Sequence, residues 1–117
     1  MQFLCLIYEA ETIMATHSDE ENGKIFQGYM DYTQSIKETG NFVAGEALQP
    51  TNTATTVRVR DGKTLLTDGP FAETKEQLGG FYLLECDSLD EAIEKAKGIP
   101  SAAFGSIEVR PLMVFDN

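Results

Sequence analysis

Residues 2–8 are apolar at nearly every position, with Phe3, Cys5 and Ile7 pointing one way and Leu4, Leu6 and Tyr8 the other. A strand that is apolar on both sides is covered on both sides. In so short a chain helices can cover one face, and the other is expected to meet a partner subunit. After a polar loop, Ser18 and Glu21 form a capping box, and Ile25, Phe26, Tyr29, Met30, Thr33 and Ile36 recur at helical spacing until Gly40. This pattern predicts a helix over about 19 to 39. Residues 42–48 read as a strand in which Glu46 shares a face with Phe42, Ala44 and Leu48.

Two further runs, 55–60 and 63–67, are joined by Asp61-Gly62, a strong hairpin signal. The two-residue turn puts Val57 and Val59 on one face with Leu66 and Thr64, and puts Arg58, Arg60 and Lys63 on the other. The hairpin is expected to extend the sheet and reads as a solvated edge or, more sharply, as a basic patch that meets an acidic second subunit or an anionic ligand. Next comes a turn-rich stretch from Asp68-Gly69-Pro70 to Gly79-Gly80, with Glu73, Lys75, Glu76 and Gln77 packed into it. It is expected to serve as a lid, a pocket wall or a bracket on a partner. Residues 80–86 follow as an apolar strand. Ser88 and Glu91 form a second capping box, ahead of a short helix stopped by Gly98 and Pro100. Residues 106–114 make the last strand, and Pro111, which cannot donate to a ladder, marks an edge position or the strand's end.

The order is β-α-β, hairpin, β-α-β. It describes an α+β, ferredoxin-like split βαβ sandwich: an antiparallel sheet with two helices on one face. The uncovered face would be a large apolar patch, so a face-to-face homodimer with two-fold symmetry is expected.

The chain has 117 residues, suiting one domain spanning 1–117, and 42% of them are hydrophobic, enough for a folded core. A net charge of −10 argues against nucleic-acid and membrane-surface roles, which need a basic face. It suits a cytoplasmic protein, and residues 1–8 lack the features of a signal peptide. Cys5 and Cys86 lie in strand-like runs and read as buried free thiols. His17, the one histidine, reads as an exposed loop residue. No spacing suggests a metal site, a phosphate loop or another cofactor.

Glu46-Ala47-Leu48, Thr55-Thr56-Val57-Arg58, Glu108-Val109-Arg110-Pro111 and above all the run from Asp68-Gly69-Pro70-Phe71 to Gly79-Gly80-Phe81-Tyr82 resemble the YCII-related domain family, DGPF-type. The resemblance covers nearly the whole chain. It implies the ferredoxin-like fold of the dimeric α/β-barrel superfamily, whose members include cofactor-independent monooxygenases, lactone isomerases, haem-dependent enzymes and ligand binders. It also implies a loose association with extracytoplasmic-function sigma factors. The wider YCII group carries a His–Asp pair for acid–base work, the His on the first helix and the Asp before a proline past the second. The matching positions here hold Gly28 or Tyr29, and Ile99 before Pro100, so the pair is absent.

Glu46 is the unusual carboxylate, because an acid on an apolar strand face needs a partner or a raised pKa. Lys75 and Arg58 are candidate partners, and exposure at a strand edge is the alternative. Glu108 and Arg110, two apart on one strand face, suit an ion pair across a dimer. Tyr8, Tyr29 and Tyr82 could line a pocket between helix and sheet, or pack in the core with hydroxyls at its rim. Three functions suit these residues. The first is binding of a small organic molecule at Tyr8, Tyr29, Glu46, Arg58, Asp68, Phe71, Lys75 and Tyr82, in a pocket near the sheet and dimer interface. The second is a cofactor-independent enzyme using Glu46, Asp68 and Lys75. The third is a protein-interaction module.

Overall fold

Hydrophobic spacing and caps set nearly every element of the chain, whose computed structural model describes residues 1–116. Strand β1 (Gln2–Glu9) is followed by a four-residue helix, α1 (Glu11–Met14), and by the long helix α2 (Asp19–Glu38). Strand β2 (Phe42–Ala47) leads through a 3-10 turn at Thr51–Thr53 into the hairpin β3 (Thr55–Arg60) and β4 (Lys63–Asp68). Strand β5 (Gln77–Glu85), helix α3 (Leu89–Lys97), a 3-10 turn at Pro100–Ala103 and strand β6 (Ser106–Pro111) complete it.

The main sheet has the order β2-β5-β1-β6 and is antiparallel throughout, the ferredoxin-like arrangement expected. Strand β6 is an edge, and Pro111 ends it opposite Phe3. The first capping box is complete: Glu21 N–H donates to Ser18 Oγ, and Ser18 N–H donates back to the Glu21 carboxylate. The second is only half made. Glu91 N–H donates to Ser88 Oγ, but the Glu91 carboxylate accepts instead from Asp87 N–H and from Asn41 Nδ2. Asn41 is buried and also donates to the Glu85 carbonyl, so Glu91 ties the end of α2 to β5 and α3.

Alternation along β1 works as the pattern requires. Phe3, Cys5 and Ile7 are buried beneath the helices with Tyr32, Ile36, Tyr82, Leu84, Ala92, Ala96 and Ile99. Leu4, Leu6, Tyr8, Phe81 and Leu83, on the opposite face, are half-buried.

Three expectations change. A bulge between Phe42 and Ala44 shifts the alternation of β2: Phe42 faces Leu84 under the helices, while Glu46 pairs with Phe81 on the other side. Glu46 thus leaves the face it was expected to share with Phe42. The hairpin does not extend the main sheet but forms its own two-stranded one, with Val57 opposite Leu66 and Arg60 opposite Lys63 as the turn dictates. Asp61 and Gly62 take φ of 52° and 74°, the conformation an Asp-Gly hairpin needs. Finally, His17 is half-buried and packs edge-on against Phe104, with ring centroids 5.7 Å apart. Helix α1 folds what the sequence pattern left as loop, and its last turn accepts the His17 N–H at the Met14 carbonyl.

Candidate functional site

A cleft of about 440 Å³ opens between α2 and the sheet. Its floor is thinned by glycine. A Cβ on Gly45 would sit 2.7 Å from the Tyr82 ring, and one on Gly80 would sit 2.7 Å from the Glu46 carbonyl oxygen, so neither position admits a side chain without rearrangement. Ile7 and Phe42 supply apolar wall, and Phe26, 67% exposed, stands at the mouth. Lys37 Nζ lies 5.1 Å from the centre of the Phe42 ring, in cation–π contact at the rim.

Polar groups converge on this space in a small, ordered set. Glu9 is the last residue of β1 and shares the inward parity of Phe3, Cys5 and Ile7. Ser101 is fully buried in the 3-10 turn after α3 and donates to Glu9 Oε1 at 2.6 Å. Tyr29, from the middle of α2, bonds to the same serine oxygen. An ionised carboxylate only accepts, and a serine hydroxyl holds one proton. The polarity is therefore set: Tyr29 O–H donates to Ser101, and Ser101 O–H donates to Glu9. The Tyr29 oxygen keeps lone pairs to accept from a bound molecule. Beside this chain, Thr33 Oγ1 and Tyr82 Oη are 2.6 Å apart, and the Tyr29 and Tyr82 rings lie 6.4 Å apart and nearly parallel.

The phenols stay protonated. Burial raises the Tyr29 pKa, and the Glu9 charge adds to that against the lowering from the Ser101 hydrogen bond. Burial also raises Tyr82, over an opposing hydrogen bond with Thr33. Both tyrosines thus present neutral hydroxyls. The cysteines take no part: both are buried and free, and burial, with the other thiol adding, pushes Cys5 up to about 11. Thiolate nucleophiles need the opposite shift.

A second, wider cleft of about 720 Å³ lies between the 48–56 segment and the 70–78 loop. It is held open by Glu11, whose carboxylate accepts from Thr51 N–H and Thr51 Oγ1 at 2.9 Å each, and whose N–H donates to Gln77 Oε1. Tyr8, Leu48, Phe71 and Leu78 give it an apolar lining.

Of the residues singled out from sequence, Tyr29 and Tyr82 meet in the first cleft, and Glu46 borders it from β2. Tyr8 and Phe71 line the second. Arg58 lies on the hairpin opposite Leu65, Asp68 ends β4 opposite Thr55, and Lys75 is exposed in the loop; none of these three lines either cleft. Among the described residues neither Lys75 nor Arg58 forms an ion pair with Glu46, because the bulge turns that carboxylate to the open face, where it is exposed. Glu108 and Arg110 pair with each other within one chain. Sequence reasoning missed Glu9 and Ser101. Extending the β1 alternation by one residue would have found Glu9, whereas nothing local marks Ser101.

The YCII-related domain model matches residues 1–116. An uncharacterised protein of Rhizobium meliloti (strain 1021) is 40% identical over 117 residues, covering 98% of this chain and 94% of its own. Among solved structures, 5-chloro-2-hydroxyhydroquinone dehydrochlorinase from Burkholderia phenoliruptrix AC1100, in complex with 2,5-dihydroxybenzoquinone, superposes with a TM-score of 0.54 at 16% identity. The match covers 97% of this chain and 94% of that one, and at this identity it shows a shared fold. With the ferredoxin-like strand order and the match over its full described length, the chain belongs to the YCII-related domain family.

Proposed function

We propose that the protein binds a small, hydroxyl-bearing organic molecule in the cleft between α2 and the sheet, and does so as a homodimer. The observation that carries this reading is the ordered set Tyr29–Ser101–Glu9, which ends in an oxygen able to accept a ligand hydroxyl. Thr33 and Tyr82 add a second polar point, and apolar walls leave room for a planar ring. A concave apolar site with a few convergent polar groups is the usual form of a small-molecule pocket. The half-buried face of Leu4, Leu6, Phe81 and Leu83 supports the homodimer. An accessory role beside a sigma factor, which the family resemblance implies, would appear as ligand-dependent capture of that factor.

The test is thermal shift and isothermal titration with hydroquinone, catechol and 2,5-dihydroxybenzoquinone, the last being the ligand held by the dehydrochlorinase. Binding is expected for the wild type and is expected to weaken about tenfold in Tyr29→Phe, the equivalent of one good hydrogen bond. Gly79→Val would narrow the cleft without a backbone clash, since a Cβ there meets Glu9 Oε1 at an ordinary 3.7 Å. Equal affinity in all three proteins, or no binding by any of the three rings, would remove this reading.

The same observation favours a second reading, a cofactor-independent enzyme. A ligand O–H could pass its proton through Tyr29 and Ser101 to Glu9, making Glu9 the base in place of Glu46. Solvent exchange of ring protons of bound hydroquinone, followed by NMR, would be accelerated by the wild type and not by Glu9→Gln. No acceleration by the wild type would exclude it.

A further inference from the structure

We propose that the second cleft, beside the 70–78 loop, is closed by the C-terminal segment of a second copy of this chain. The inference rests on the face-to-face homodimer proposed above and adds which parts of the two copies meet. The chain ends its last strand at Pro111 and continues as Leu112-Met113-Val114-Phe115. Met113, Val114 and Phe115 are 77%, 86% and 71% exposed, and Phe71, at the edge of the cleft, is 80% exposed. An apolar segment and an apolar cleft each lacking cover in one molecule are matched in chemistry.

They cannot meet within one chain. The segment leaves the sheet at the start of β1, where Leu112 N–H donates to the Gln2 carbonyl. Strand β6 runs antiparallel to β1, so its continuation travels away from Tyr8. The cleft lies at the other end, where Tyr8 pairs with Leu78. Six residues of strand separate the two ends, roughly 20 Å. The five residues 112–116 span at most about 17 Å even when extended.

A two-fold axis lying between two facing sheets and across their strands exchanges the ends. It lays the terminal segment of one copy over the cleft of the other, twice per dimer. The contact continues the apolar face of Leu4, Leu6, Phe81 and Leu83 at both ends. The overall shape agrees. The radius of gyration is 16.3 Å and the extents are 48 × 47 × 18 Å, against about 13 Å expected for a compact chain of this length.

The test is a pair of cysteines, Phe71→Cys with Val114→Cys, in the full chain. Native Cys5 and Cys86 are buried and leave the new thiols as the exposed ones. Mild oxidation is expected to give a covalent dimer on a non-reducing gel for the double variant and for neither single variant. Deleting the residues after Pro111 is expected to raise the dimer dissociation constant at least tenfold in sedimentation equilibrium, with the circular dichroism unchanged. A wild type that sediments as a monomer would overturn the dimer and this contact with it. A wild-type dimer whose double variant stays unlinked, or closes a disulfide within one chain, would overturn the contact alone. Linking by Phe71→Cys by itself would place loop against loop and also overturn it.

Discussion

The two faces of the main sheet are built from the same strands and solve different problems. Under the helices, Cys5, Leu84 and Ile99 are all but removed from solvent, and the buried Asn41 and Ser101 side chains find hydrogen-bond partners. On the other face, Leu4, Leu6, Phe81 and Leu83 are only half-buried, and beyond them the hairpin exposes Val57, Val59 and Leu66 at 60% or more. The first face is complete within one chain and can therefore hold side chains at fixed geometry, which a binding site needs. The second is incomplete, and its apolar surface is the kind that association removes. Adjacent residues on β1 thus meet different surroundings: one parity is packed under the helices, and the other is left partly open, where the proposed homodimer would cover it.

The contrast breaks most sharply at neighbouring positions. Cys5→Lys places an unpaired ammonium in the core and is expected to leave the chain unfolded. Leu6→Lys, one residue on, is expected to leave a folded monomer, seen by native circular dichroism with a halved mass in sedimentation. Equal damage from both would mean that the two faces do not differ in this way.

A smaller effect is expected inside the helix-side cleft. Ser101→Ala removes the hydroxyl that joins Tyr29 to Glu9 and leaves both groups without their shared partner. The loss should be about 1–3 kcal/mol of unfolding free energy, measured by denaturant titration. Alanine at Thr56, whose hydroxyl bonds the Gly69 carbonyl at the base of the hairpin, should cost less, at about 0.5–1.5 kcal/mol.

The gentlest separation is by pH. Burial raises the Cys5 thiol from 9.0 to about 11, and burial raises Tyr32 as well. A folded-state pKa above the unfolded one leaves stability intact below the unfolded value and removes it as pH rises through the folded value. Stability is therefore expected to hold up to pH 9 and fall between pH 9 and 11, followed by the thermal midpoint. Cys5→Ala should flatten the first part of that fall. A profile that stays level to pH 11 would show that the thiol is not enclosed in solution.

The fold was legible because it rests on local signals: period 2 in β1, period 3.6 with a capping box in α2, and Asp61-Gly62 in the hairpin. What escaped depended on registers and contacts made at a distance. One bulged residue at Val43 reverses the parity of β2, and alternation read from sequence then assigns Glu46 to the wrong face. Ser101 joins Glu9 across 92 positions and Tyr29 across 72, and no spacing rule reaches so far. The second capping box shows a milder form of the same limit. Ser88 caps its helix as its sequence spacing requires, but Glu91 is drawn away by Asn41, fifty positions earlier. Of the site, the two tyrosines were visible as amphipathic residues on inward faces, whereas the carboxylate that orders Tyr29 through Ser101 was not.

The proposed ligand site lies on the helix-covered face of the sheet and not on the open one. Backbone amide shifts followed by heteronuclear NMR during titration with hydroquinone test it most directly. Saturable changes are expected at Tyr29, Gly45, Gly80 and Ser101, with Ala54, Gly69 and Ala72 beside the second cleft unmoved. Changes confined to those last three, with Gly45 and Ser101 still, would contradict it.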